Sequence, residues 1–528
     1  MAPPRNSGER RPRGRPQRLP HDDTPIESDT FDGNKRLAWL IATTRLLGHQ
    51  TRNLNRADFV NLMRARGVRI DSSRISRWES GLEYLAPRLV RAYEEVAGLP
   101  AEQLGAVRRA LARSGQLQTR PTERGEPPDD PNRIDELLDG LESQQIRGDR
   151  WLWLADQLRR YQSVYLHRKT WQDLADQLVD ELARSATIPY LARYEAAAAL
   201  MNAPHAQPYL TRSVGRYVLD PQTRVITPVL AVLAEIEDKA ASDLVLRLMS
   251  ASNANLRRSA AIVASSMLRR GHLEAGHKVL EVHVGHELAN SPGQPSVVTL
   301  DLAARLTDGQ FERVLIAAGD EVTHAALRQA RTHRELVDAD QARTLADHIG
   351  LHAELLCART AHDPDLMLRR LVREALFHVH RERRHLASVM LLASPYASSV
   401  GEVALRLTAH ADERLAALCW SLVARMTPAL GALAILERLE AEPRPGLRAR
   451  AATALMWARP PLPDDAVKRL VLLADGAQDD HNAATAAVLA LGLAGRGEEL
   501  ARIAQGGNDH IASLARWAAE RGPAVQES

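Results

Sequence analysis

Six stretches of this chain are variations on one Ala-rich helix, and they constrain its fold more than any other feature. They are LARYEAAAALM from Leu191, LRRSAAIVASSM from Leu256, LAALCWSLVARM from Leu415, LRARAATALMWA from Leu447, NAATAAVLALGL from Asn482 and IASLARWAAE from Ile511. The last four begin 32, 35 and 29 residues apart, and the first two are separated by 65, which is two such units. Each follows a turn containing Asp, Asn, Pro or Gly and runs from polar to apolar. Small Ala side chains let neighbouring helices approach closely. A helix of this kind cannot bury its apolar face alone, so stacked neighbours must cover it. Strand signals are scarce, with no sustained alternation of β-branched and polar residues. Aromatics make up only 4% of the chain, so the core must come from Ala, Leu and Val, of which all but Val favour helix. An all-α fold is expected.

Four regions are expected along the 528 residues. Residues 1–30 lack periodicity and are rich in Pro, Arg and Asp, the composition of a disordered basic arm. Residues 31–115 hold a compact set of capped helices. Residues 116–131, QLQTRPTERGEPPDDP, carry four prolines and almost no apolar content, as a flexible linker does. From 132 to 528 helical patterning is nearly continuous. This last region resembles the HEAT-like and armadillo-like α-solenoids, although its repeat is shorter than their ~40–47 residues. The resemblance implies a long α-solenoid of antiparallel helix pairs; a generic Ala-rich helical bundle is the other architecture compatible with the pattern.

Charge is distributed unevenly. Residues 1–115 carry 21 Lys+Arg against 13 Asp+Glu, a balance of +8 in a chain whose total is +3, so the remainder is mildly acidic. A basic head on an acidic body points to a polyanion as the head's partner. Only five of the basic residues are Lys. Part of that Arg excess follows from GC-rich coding.

Within the head, a helix over Lys35–Leu47 puts Leu37, Leu40, Ile41, Thr44 and Leu47 on one face. Asn55 caps a second helix, with Asp58 three residues on, Phe59 and Met63 inward and Gly67 at its end. Asp71 caps a third, read from SSRISRWESG. There Ile75 and Trp78 face inward at i, i+3, leaving Ser72, Ser73, Arg74, Ser76 and Arg77 outside, and the helix stops at Ser80-Gly81. This is helix-turn-helix logic: the second helix braces a short third one whose outer face is hydroxyls and arginines. Serines let the backbone approach a major groove, and Arg pairs bidentately with guanine.

SSRISRWESG followed by APRLVRAYEEVAGLP resembles the XRE family of lambda-repressor-like regulators, over residues 35–113. Pro87 opens the fourth helix, Gly98 ends it, and Pro100–Arg113 supplies the fifth, with Leu104, Val107 and Leu111 inward. The segment RARGVRIDSSR between helices two and three is a few residues longer than the family's. The resemblance implies that Ser73, Arg74 and Arg77 face DNA, that Ile75 and Trp78 are core, and that Glu79 pairs within the protein. In the arm, RRPRGRPQR contains the Pro-Arg-Gly-Arg-Pro core of the AT-hook, through Arg11, Arg13 and Arg15. An extended Arg-Gly-Arg fits a narrow A/T minor groove; a nonspecific phosphate-binding arm is the alternative.

Other motifs point to no chemistry. His272, His277, His283 and His286 lack the HExxH order of zinc enzymes, and with His378, His380 and His385 they read as surface or partly buried helix histidines. GLAGRG, Gly492 to Gly497, follows a helix and lacks the Lys-Ser/Thr of a phosphate loop, so it reads as a helix end. Cys357 and Cys419 form no CxxC motif. In the most aromatic segment, Asp149 to Leu178, Trp151, Leu154 and Leu158 form one stripe and Trp171, Leu174 and Leu178 another, with Thr170 as a helix cap. These read as core, or as a ligand pocket or dimer surface. No apolar run reaches the ~18 residues of a membrane span, and no signal-peptide core precedes the head. The expected protein is not an enzyme and uses no cofactor or metal. It is a cytoplasmic, nucleoid-associated transcriptional regulator that binds double-stranded DNA sequence-specifically. Its solenoid serves a protein partner, self-association or effector sensing. The alternative is an interaction scaffold tethered nonspecifically to DNA, as in plasmid or chromosome maintenance.

Overall fold

The computed structural model describes residues 18–117, 131–139, 146–160, 166–357, 363–458, 461–476, 480–525 and 527. Among these residues it is all-helical, with 28 α-helices, one 3-10 segment and no strand beyond a single antiparallel bridge between Glu335 and His378. The head contains α1 (Gly33–Leu47), α2 (Arg56–Ala65), α3 (Ser72–Glu79), α4 (Pro87–Ala97) and α5 (Gln103–Arg113). No helix among the described residues is long and apolar enough to cross a membrane.

The body is a solenoid of antiparallel helix pairs. Helices Glu413–Leu430, Pro445–Leu455, His481–Leu493 and Asp509–Arg521 stack successively in one row, and a second row, Ala397–Leu407, Ala432–Glu440, Asp464–Asp475 and Gly497–Ile503, covers them. The first row consists of the last four Ala-rich stretches. Asn253, Asp412, Asp480 and Asn508 cap such helices by accepting backbone N–H groups, which satisfies donors the first turn leaves free. Close packing explains the small residues: a Cβ added at Gly492 would come within 2.9 Å of the Ala518 Cβ. The aromatic stripe is core, with Trp151, Leu154, Leu158, Trp171, Leu174 and Leu178 all buried. Thr170 lies inside the helix Arg168–Ala183, whose cap is instead His167.

The C-terminal row folds back onto the start of the body. Val525 N–H donates to the Arg184 carbonyl at 3.1 Å and Arg184 Nη1 to the Pro523 carbonyl at 2.8 Å. Glu527 accepts from Gly148 N–H at 2.9 Å and from the buried Arg193, which also donates to Glu181 at 2.7 Å.

The head is not a module at the end of a tether. In α1, fully buried Arg36 donates to both Glu374 oxygens at 2.6 and 2.7 Å and to Asp22 at 2.8 Å. Trp39 Nε1 donates to the Asp365 carboxylate at 3.0 Å, its ring stacked 6.2 Å from Tyr396. From α5, Gln103 reaches the Ala393 carbonyl at 3.1 Å, Arg109 reaches Asp156 at 2.9 Å, and Arg113 bridges Glu195 and Glu235.

The disordered arm expected over residues 1–30 is corrected for its second half. Residues 18–30 lie along the helices Leu366–Phe377 and Arg381–Ala393. Arg370 donates to the Asp22 and Thr24 carbonyls, and Arg383 to those of Ser28 and Thr30. Phe31 sits between the guanidiniums of Arg36 and Arg383, 4.1 and 4.4 Å from its ring centre. Arginine forks saturating backbone carbonyls hold a polar segment that has no periodicity of its own. Of the expected linker, Gln116 and Leu117 belong to the head, Gln116 Oε1 accepting from Phe31 N–H at 2.9 Å. Residues 118–130 lie outside the described residues.

Candidate nucleic-acid interface

Asp71 starts α3 by accepting from Arg74 N–H at 2.8 Å, and Ser73 Oγ donates to the same oxygen at 2.7 Å. These bonds, the Ser73 hydroxyl first, pull the Asp71 carboxyl below its ordinary range. Inward, Ile75 and Trp78 are buried against the head core, each contributing about 1.5–3 kcal/mol. Gly81, at φ +75°, turns the chain away from the helix in a conformation that strains any other residue, and a Cβ there would also come within 3.3 Å of the Lys35 Cα.

Glu79 is the buried end of this frame. Arg45 of α1 donates to its two oxygens at 2.5 and 2.7 Å, and Tyr93 OH of α4 donates to it at 3.3 Å. Burial, then the Glu79 charge, pushes the Tyr93 hydroxyl well up. Two helices of the head, α1 and α4, are thereby tied to the last turn of α3. Arg64 Nε donates to the Ile70 carbonyl at 2.9 Å and braces the turn between α2 and α3.

Outward, Ser72, Ser73, Arg74 and Arg77 are exposed and Ser76 is half-buried. The two arginines are not idle. Glu83, just past α3, holds Arg77 at 2.9 Å and Arg74 at 3.7 Å, and Arg74 lies over the Trp78 ring at 5.6 Å. Arg64, Arg66 and Arg69 at the turn between α2 and α3, and Arg52 in the connection between α1 and α2, are also exposed, with Arg66 pairing to Glu95 at 3.6 Å. The body packs on α1 and α5, so α3 keeps its outer face clear. Arg11, Arg13 and Arg15 lie outside the described residues. Residues 18–30, the ordered strap that continues from them, meet the first turn of α1, where Asp23 pairs with Lys35 at 3.1 Å.

Glu83 is the residue of this face that the sequence pattern does not mark. It follows the helix, and its role depends on the turn at Gly81 bringing it back beside Arg77. The histidine clusters are corrected in part. His378 and His380 are on a connection rather than a helix, both buried, with His380 Nδ1 2.8 Å from Asp301. No group of His, Cys, Asp and Glu among the described residues is arranged to hold a metal.

No family model matches the chain, and no curated protein does. Among solved structures it is similar to an engineered protein, at 13% identity over 74% of this chain and 98% of that one, with a TM-score of 0.20. It is also similar to a Kap121p mutant, at 13% identity over 92% of this chain and 53% of that one, with a TM-score of 0.23. The chain thus spans about half the length of the Kap121p structure, and at these scores neither likeness bears on function.

Proposed function

We propose that the chain is a sequence-specific regulator of transcription that lays α3 in the major groove of double-stranded DNA, at the nucleoid. Ser72, Ser73 and Ser76 would let the backbone approach, and Arg74 and Arg77 would read guanine or anchor phosphates. Arg11, Arg13 and Arg15 would enter the adjacent minor groove. The observation that carries this reading is the division of the head into two sides. One side is clamped by the body through Arg36, Trp39 and Arg113, and the other presents an Arg/Ser helix face to solvent. The clamp fixes the direction in which α3 points, and the body is then the natural place for a partner, a second copy or an effector to act.

A second reading is favoured by the exposed Arg52, Arg64, Arg66 and Arg69 of the head. Exposed arginines of this kind bind phosphates without regard to sequence, as a scaffold tethered to DNA requires. Selection of bound fragments from randomised DNA by the full-length protein at physiological salt separates the two. A regulator enriches one short motif and prefers it ~10³-fold or more over bulk DNA, and a tether binds without enrichment. Absence of binding removes both.

A further inference from the structure

Most buried arginines of this protein face a carboxylate: Arg36 faces Glu374 and Asp22, Arg45 faces Glu79, Arg113 faces Glu195 and Glu235, and Arg193 faces Glu181 and Glu527. One cluster departs from that rule. Arg381, Arg384 and His385 lie on the opening turns of the helix Arg381–Ala393, and Ser388 continues their stripe at i, i+3, i+4, i+7. The helix Glu413–Leu430 packs on this one, and from it Arg425 Nη1 donates to Ser388 Oγ at 2.8 Å. The Arg384 guanidinium donates only to the backbone carbonyls of His378 and Val379. Among the described residues the side chains of Arg381 and His385 have no partner, and Arg425 has only the Ser388 hydroxyl.

The acids nearby are already engaged. Asp301 holds His380 and Arg305 and accepts the Arg381 backbone N–H, Glu374 holds Arg36, Arg370 and Arg383, and Glu382 holds Arg269. The cations therefore act on one another. Burial first, then Arg384 and Arg381, brings Arg425 down to about 9. Burial brings Arg384 down to about 10, with Arg381 and Arg305 adding to it against the pull of Asp301. Burial, followed by Arg425, Arg381 and Arg113, pushes His385 well below its ordinary value. Guanidinium does not give up its proton in proteins, so this pressure is an electrostatic cost left in place. Arg384 is buried, whereas Arg381, His385 and Arg425 keep part of their surface in solvent. The cluster is recessed yet open. The helix Thr187–Met201 packs on the helix Arg381–Ala393 as well and carries Tyr190, whose hydroxyl donates to the Pro228 carbonyl at 3.1 Å and whose ring packs 5.7 Å from Tyr194.

We propose that Arg381, Arg384, His385 and Arg425 bind a small phosphorylated anion carrying at least two negative charges, with Tyr190 at the rim of the site. Two guanidinium forks from different helices match the paired oxygens of phosphate groups, which a single carboxylate does not. The cluster lies where two packed helices meet, a setting that suits a small molecule rather than a duplex. The helix Arg381–Ala393 also packs on α5 of the head, where Gln103 bonds its last residue, Ala393. The site stands whether or not α3 binds DNA.

Thermal unfolding and calorimetry of the full chain at physiological salt test it, with pyrophosphate and a nucleoside triphosphate as probes. Saturating probe is expected to raise Tm by about 2 °C or more, and the double substitution R381Q/R425Q is expected to weaken binding by ~10-fold or more through loss of both forks. Equal response to the two probes identifies the phosphate chain as the ligand feature. A preference for the triphosphate that is lost in Tyr190→Ala identifies a nucleoside phosphate. Without ligand, Arg425→Gln is expected to raise Tm, because it removes an unanswered charge; a lost response to probe is then not lost folding. A Tm lowered by that substitution, no response to either probe, or a response that survives R381Q/R425Q overturns the proposal.

Discussion

The residue that governs the exposed face of α3 is an acid. Glu83 holds Arg77 at 2.9 Å and Arg74 at 3.7 Å, both half in solvent. Surface pairs of this kind are worth little to stability, about 0–1 kcal/mol, so their effect is on what the arginines can reach. Arg77→Ala is expected to weaken binding of the selected site by about 1–3 kcal/mol and to relax preference at one base pair. Glu83→Gln removes the competitor and one negative charge. It is expected to strengthen binding to all DNA and to steepen the dependence of log K on log salt by about one unit, measured by fluorescence anisotropy across a salt series. Unchanged binding in both variants would remove α3 from the interface. Glu79 belongs to the opposite class, because it is buried and its partner Arg45 would be left uncompensated without it.

At the scale of elements, α3 was legible from sequence because every cause of it is local: the Asp71 cap, the i, i+3 pair Ile75 and Trp78, and the stop at Gly81. The Ala-rich helices were legible for the same reason, each carrying its own apolar face and four of them their own Asp or Asn cap. The strap over residues 18–30 was not, because what orders it comes from residues some 350 positions away. Arg370 and Arg383 grip its carbonyls, and carbonyls leave no signature in a sequence. Removing residues 1–17, which precede the strap, is expected to weaken binding to all sequences alike and flatten the salt dependence, as loss of a phosphate-binding arm does. A loss confined to A/T-rich sites marks a minor-groove hook instead. The connection that carries His378 and His380 makes stability depend on pH. Burial holds His380 down at about 4 against the pull of Asp301, and His378 is also well below its ordinary value. A depressed imidazole favours the folded state above its ordinary value of 6.5, and this advantage is lost as pH falls toward the folded value. His380 alone predicts a loss of about 2 kcal/mol between pH 7 and pH 5, read from urea midpoints and flattened in His380→Gln.

The whole molecule is held by contacts between distant parts of one chain. Residues 523–527 join the last helical row to the region of Arg184 and Arg193. Deleting them takes Glu527 from Arg193, which keeps Glu181 and the Ile146 and Pro189 carbonyls, and a loss of about 1–3 kcal/mol is expected, with faster proteolysis at the freed edges. An unchanged denaturation midpoint would show that the join is incidental. Where burial and Arg36 and Arg383 meet at Glu374, burial opposes its charge and the two arginines hold its carboxyl well below the usual range, so α1 is completed by a residue 338 positions further on. On a ribosome adding roughly 5–20 residues per second, that partner emerges on the order of tens of seconds after α1 does. Throughout that interval the nascent chain displays Trp39, and Arg36 has Asp22 but not Glu374 to answer its charge. The head is made first and finished late, which gives a waiting chaperone a specific surface to shield.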